Sequence, residues 1–197
     1  MKKEYWLIIV VLAFLGGFTT GVIYTVIKQE KKSQKQIQVF APPESSSVPK
    51  VMEDIKKLKK HLKEKPNDEK GWIELGNIFF DLDRPNEAIE AYKNALKINS
   101  KNPDVITDLG IMYRRAGKFD KSVEMFKKAA KLDPKHLNSR LNLGIVLFHD
   151  KGDVDGAIKA WEEYVKIAPN NEHTKAIKEI VKKLKAQQVN KKSEKKK

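Results

Sequence analysis

The dipeptide Leu75-Gly76 recurs as Leu109-Gly110 and again as Leu143-Gly144, thirty-four residues apart each time. A period of this length marks supersecondary units that bury their apolar faces only by stacking on one another. Three residues after each glycine stands a large apolar side chain: Phe79, Tyr113, Leu147. Ala88, Ser122 and Ala157 align as a small position, and four residues later come Tyr92, Phe126 and Trp161. Ala95, Ala129 and Tyr164 follow; Pro134 and Pro169 close the second and third units where Ser100 closes the first. Trp72, Leu75 and Phe79 make an i, i+3, i+7 stripe, and Ile89, Tyr92 and Leu96 make another, so each unit reads as two amphipathic helices. A glycine costs about 1 kcal/mol against Ala inside a helix. Gly76, Gly110 and Gly144 are therefore expected where a paired helix comes close, with the aromatics at 92, 126 and 161 filling the gaps between units. Tyr164 in place of a small residue predicts a looser last junction.

These residues resemble the tetratricopeptide repeat (TPR) family, whose unit is a helix–turn–helix of thirty-four residues. The resemblance covers residues 69–171 as units 69–102, 103–136 and 137–171. It implies an all-α fold, a right-handed superhelical solenoid. Unit one has Asp83 and Pro85 in its turn where the others have Gly117-Phe119 and Gly152-Val154, and unit three carries one extra residue, assigned to that turn. Residues 50–66 repeat the second-helix register through Val51, Ile55, Leu58 and Leu62, which predicts a half-unit. Ile177, Ile180, Val181 and Leu184 predict a Lys-rich capping helix over 172–188. Residues 189–197 are charged enough to be expected as a disordered tail.

Ahead of the repeats, Tyr5–Ile27 is a run of twenty-three uncharged residues. As a helix it would reach about 34 Å, enough for a hydrocarbon core of about 30 Å. Tyr5, Trp6 and Tyr24 stand near its ends, where amphipathic rings favour the interface. A cleaved signal peptide is disfavoured by the length of the run and by the lack of an A-x-A site after it. Residues 1–27 are therefore expected to be a single-pass transmembrane anchor. Residues 28–49, with Pro42, Pro43, Pro49 and three serines, are expected to be a linker. Two arguments on orientation conflict. Lys28, Lys31, Lys32 and Lys35 outnumber Lys2 and Lys3, which favours a cytoplasmic solenoid. The MKK start before an apolar run favours export across a bacterial inner membrane, and export is the expectation adopted.

The formal charge of +14 is uneven: residues 66–171 hold seventeen basic and seventeen acidic groups, and the excess lies in the flanks. Thirty-six of the forty basic residues are Lys. Lys is a hydrated point charge, whereas Arg is the bidentate reader of phosphates and bases, so no specific nucleic-acid partner is expected. Weak contact of the Lys-rich flanks with anionic lipid is the charge-based alternative, worth about 1 kcal/mol per Lys near the surface.

The chain has no cysteine, which excludes disulfides, Cys-ligated metals and thiol nucleophiles. His61, His136, His149 and His173 show neither ligand spacing nor a nucleophile motif, and read as surface or helix-end residues. Residues 151–162 approach a calcium-loop pattern, but Lys151 replaces the first oxygen ligand and the repeat register puts Ala157–Glu162 in a helix. No catalytic residue, metal or cofactor is expected, and the chain reads as a non-enzyme.

In the TPR family the first helices line a concave groove. Carried onto this chain, the resemblance assigns partner binding to Ile73, Asn77, Phe80, Asp108, Ile111, Arg114, Arg115, Leu141, Asn142, Ile145 and Phe148. The family's clamp for acidic chaperone C-termini would fall on Ile73, Asn77, Asp108, Asn138 and Asn142. Only Asn77 agrees with it, and Asp108 would repel a carboxylate. The groove suits an extended apolar segment or an amphipathic helix of a protein partner. Whether Phe80 and Phe148 face the groove or pack inside the array is open at this level. Anchored bacterial TPR proteins imply two assembly roles, holding apocytochromes for haem attachment or accompanying the Sec translocon. The runner-up reading is a peripheral organiser whose Lys-rich flanks bind anionic lipid or nucleic acid.

Overall fold

The computed structural model describes residues 47–194, with side-chain environments for 49–190; the expected anchor and nearly all of the expected linker lie outside them. Eight α-helices follow in order: α1 Ser47–Glu64, α2 Glu69–Asp81, α3 Pro85–Ile98, α4 Pro103–Arg115, α5 Phe119–Leu132, α6 Leu137–Ile145, α7 Val154–Ile167 and α8 Thr174–Glu194. From α2 on, each helix packs on the next, and the first helices α4 and α6 also touch. This is an all-α solenoid of stacked helix pairs, the architecture that the resemblance implied. No helix among the described residues is long and apolar enough to cross a membrane.

The helix starts are set locally. The side chains of Asp68, Asn102, His136 and Asp153 accept from the amides of Gly71, Val105, Ser139 and Gly156, each satisfying a donor that the helix cannot. Pro85 and Pro103 occupy first positions, where a missing N–H costs nothing. Asp153 is thus a helix cap and Ala157–Glu162 lies within α7, as the repeat register requires. The inter-helix turns need one left-handed residue. Gly117 and Gly152 supply it at φ 70° and 66°, and Asp83 takes φ 50° in their place in unit one.

The helix glycines are seats for rings. A Cβ on Gly76 would lie 2.4 Å from the Tyr92 ring, one on Gly110 2.7 Å from Phe126, and one on Gly144 2.1 Å from Trp161. Each aromatic therefore reaches first over the glycine of its own unit. This corrects the expectation that the rings serve chiefly to fill gaps between units. Phe126 does extend further, into the core of unit three with Leu143, Val146 and Trp161.

Four boundaries or packing expectations change. The half-unit helix is already formed at Ser47, the first described residue, and ends at Glu64, where 50–66 was expected. The extra residue of unit three is not in the turn. It is absorbed in the helix, where Val146–Asp150 widen into a π turn and the Lys151 amide reaches back five residues to Val146. The last junction is filled rather than loose: Tyr164 is 2 % exposed, and its hydroxyl donates to Asn171 at 2.9 Å. Finally, α8 continues to Glu194, past the expected end at 188. Residues 174–194 contain no Gly or Pro and are rich in Lys, Glu, Gln and Ala, which favour the helix. Lys185 to Glu162 and Gln188 to Asp155 tie it to α7. Ile177, Val181 and Leu184 are buried beneath it, while Ile180, expected on the same stripe, is exposed.

Candidate functional site

The first helices α2, α4 and α6 present the positions that the repeat register assigns to the concave face. Ile73, Ile111, Leu141 and Ile145 are all half-buried. Ile111, Leu141 and Ile145 rest one side on the core of unit three and keep the other side accessible. The Leu141 carbonyl accepts from the Trp161 indole at 3.3 Å, and the Asn142 side chain donates to the Asn138 carbonyl, so both positions are held. Asn77 is exposed, and its carbonyl oxygen accepts from the Tyr92 hydroxyl at 2.8 Å. Tyr92 belongs to a second helix, yet its ring crosses Gly76 and brings its hydroxyl beside α2.

Two of the assigned groove residues do other work. Arg114 pairs with Asp150 at the end of the π turn of unit three. Arg115 donates to the Phe80 carbonyl at 3.0 Å and to Asp83 at 3.2 Å, and its guanidinium lies 4.2 Å over the Phe80 ring. One helix thus grips both neighbours. The same kind of contact joins Lys118 to Asn86, Lys151 to Asp120 and His136 to Asp104 across successive units. Phe80 is half-buried under that guanidinium. Phe148 sits in the π turn, half-buried, its ring centroid 5.8 Å from that of Trp161. Each ring packs on one side and, being half-buried, keeps part of its surface accessible.

Asp108 behaves differently from every other acid of the groove. It is half-buried and receives no hydrogen bond from any described residue. Burial, with help from the charge of Asp104 one turn back, pushes its carboxyl up to about 6, while His136 pulls the other way. Its charge and that of Asp81 both reach the Tyr92 hydroxyl, which burial already holds far above its usual range. Asp68 shows the opposite case: the Gly71 amide and His61 lower its carboxyl below the ordinary value.

An expected outcome follows from the sign of the Asp108 shift. The native value of about 6 lies above the ordinary 3.8, so the folded state holds this proton more tightly than the unfolded one. Its contribution to stability is then lost as pH rises from about 4 through 6, and stays lost above. Asp108→Asn removes that loss. The melting-temperature difference between variant and parent should be near zero at pH 4 and reach about 3 °C in favour of the variant at pH 7.5. Solvent screening of a half-buried group keeps the gain on the order of 1 kcal/mol. A parent as stable as the variant at pH 7.5 would show that Asp108 is not strained.

Asp104, His136 and Ser139 come together in a way that the sequence did not suggest. The His136 ring bonds Asp104 through Nε2 at 3.0 Å and accepts the Ser139 amide at Nδ1. The Ser139 hydroxyl, however, is fully buried and donates to the His136 carbonyl at 2.9 Å, away from the ring. The group is a helix start joined to the preceding unit, with no activated hydroxyl. His136 is the helix-end residue that its context implied.

The comparisons with known proteins agree with this architecture. The family profile described as the cytochrome c-type biogenesis protein H TPR domain matches residues 45–176. Protein O-mannosyl-transferase TMTC3 of Homo sapiens is 27% identical over 128 residues, 65% of this chain and 14% of that protein. Cytochrome c-type biogenesis protein CycH of Bradyrhizobium diazoefficiens is 32% identical over 56 residues, 28% of this chain and 15% of that protein. The chain thus matches well under a fifth of the length of either relative. Among solved structures, the crystal structure of MamA superposes with a TM-score of 0.61 at 21% identity, covering 81% of this chain and 98% of that one, a likeness of fold. Three stacked helix pairs with a glycine seat in each, and a profile match over two thirds of the residues, place this protein in the TPR family of protein-interaction scaffolds, to whose cytochrome c-type biogenesis protein H TPR domain it belongs.

Proposed function

We propose that the chain is a non-catalytic scaffold of cytochrome c biogenesis that receives an apolar, extended or helical segment of a c-type cytochrome polypeptide along its concave face. Residues 5–27 tether it to a bacterial inner membrane, with the solenoid on the exported side. The observation that carries the reading is the row of half-buried apolar side chains on successive first helices: Ile73 on α2, Ile111 on α4, Leu141 and Ile145 on α6. Each keeps part of its apolar surface in contact with water, which an amphipathic segment would cover. The kinship with the biogenesis protein H domain and with CycH supports the choice of pathway.

The test uses the full chain in its native membrane, with a photo-crosslinking residue in place of exposed Asn77 or of exposed Lys127 on α5. Adducts with a c-type cytochrome polypeptide are expected from position 77 and not from 127, in membranes that keep the protein through alkaline extraction. Equal adducts from the two positions, or none from 77, would refute the groove. Release of the full chain by alkali would refute the tether.

A further inference from the structure

The groove has a sign. Its two arginines are committed elsewhere, Arg114 to Asp150 and Arg115 to Asp83 and the Phe80 carbonyl. Its acids are not matched in the same way. Asp104 meets His136, but neither Asp81 nor Asp108 is in an ion pair among the described residues, and both charges bear on the Tyr92 hydroxyl. Asp81 is exposed and solvated, whereas Asp108 is half-buried. A half-buried carboxylate without a donor is unfavourable for the unoccupied protein. It lies three residues, hence one turn, before Ile111, so the two share a helix face. Beside the apolar row there is therefore one position where the occupant can relieve an uncompensated negative charge.

We propose that the segment held in this groove places a Lys or Arg side chain against Asp108, with its apolar residues on Ile73 and Ile111. The proposal rests on the groove reading above and specifies the chemistry of the occupant. It follows from charge complementarity: the groove's cations are already paired, so an acidic peptide meets uncompensated carboxylates and a basic amphipathic one supplies their counter-charge. The groups facing Asp108 bear this out. They are Asp104 on its own helix, Tyr92 from α3 and His136 at the start of α6, and the ring of His136 is held between Asp104 and the Ser139 amide. A cation from outside is what this position lacks. A partly desolvated charge pair also resists salt better than contacts made by the exposed lysines of the flanks.

The test is a double-substitution cycle on the full chain in zwitterionic lipid nanodiscs, with empty discs subtracted. The probes are a synthetic amphipathic helix carrying one central Lys on its apolar face and a twin with Gln in its place. On the unaltered protein the Lys probe should bind at least tenfold more tightly than the Gln twin. In Asp108→Asn that preference should vanish, while Glu124→Gln, on α5, should retain it. If the twins bind equally well to the unaltered protein, and Ile73→Glu abolishes both, the groove stands and the cation assignment falls. If neither probe binds more tightly than to Ile73→Glu, both fall. If deletion of residues 189–197 raises affinity for the Lys probe tenfold, the chain's own Lys-rich end is the cation at Asp108, and the assignment to a partner is overturned.

Discussion

Gly110→Leu, at a buried position of α4, should lower the melting temperature by roughly 10 °C. A bare Cβ at this position would already stand 2.7 Å from the Phe126 ring and 3.2 Å from the Met125 Cβ. Real Cβ atoms essentially never come as close as the first of these, so either the ring or helix α5 must move. Phe126 is fully buried and packs into the core of unit three, so it has no free rotamer to take. Overpacking of this kind costs about 3 kcal/mol at the upper end of its usual range, a shift of that order for a domain of this size. The propensity argument points the other way, since almost any residue is a better helix former than glycine. The comparison is Lys121→Leu on the exposed side of α5, where only a cation–ring contact with Tyr113 at 5.7 Å is lost. Thermal melts followed by circular dichroism decide it: equal midpoints for the two variants would show that the glycine is not a packing seat.

Phe148→Glu and Phe80→Glu should separate by a similar margin, although the two residues look equivalent in the sequence, two thirty-four-residue periods apart. Phe148 lies in the π turn with its ring against Trp161 and the core of unit three. A carboxylate there would lose that packing and be partly desolvated, with an expected cost of about 3 kcal/mol. Phe80 lies under the Arg115 guanidinium, within reach of its charge. Glutamate at position 80 would exchange a cation–ring contact for an ion pair, and should change stability by less than about 1 kcal/mol. Urea midpoints of the two variants are the measurement. If Phe148→Glu were as stable as the parent, its ring would be groove wall after all. Partner capture by Phe80→Glu should survive, because the groove proposed above rests on Ile73, Ile111, Leu141 and Ile145.

Much of this architecture was legible in the amino-acid order because it is enforced over short distances. The Leu-Gly pairs, the small position and the aromatic sixteen or seventeen residues on define a helix pair that closes on itself. Asp68, Asn102 and Asp153 cap helices through amides three residues away, so their roles follow from local spacing. The terminal helix runs past its expected end because a neighbouring helix holds it. Lys185 and Gln188 find Glu162 and Asp155 on α7, and the helix continues through a stretch whose composition alone suggested a loose tail.

The proposed groove depends on stacking. The resemblance assigns concave positions, yet how each is committed depends on contacts between units, some thirty residues apart. Arg114 turns to Asp150, Arg115 covers Phe80, and His136 meets Asp104 only because successive units settle at one distance and one angle. A period of thirty-four states that units repeat; it does not state that relation, which is set by how rings such as Phe126 reach past their own glycine into the next unit. The extra residue of unit three is the same lesson at smaller scale. The count revealed it, but whether it lengthens a turn or widens a helix is settled by which backbone bonds survive once Trp161 is packed on Gly144. The charge of Asp108 was plain in the sequence. Its lack of an ion pair is a tertiary fact: Arg114 and Arg115 are drawn to Asp150 and Asp83, and His136, whose charge reaches Asp108, is bonded to Asp104.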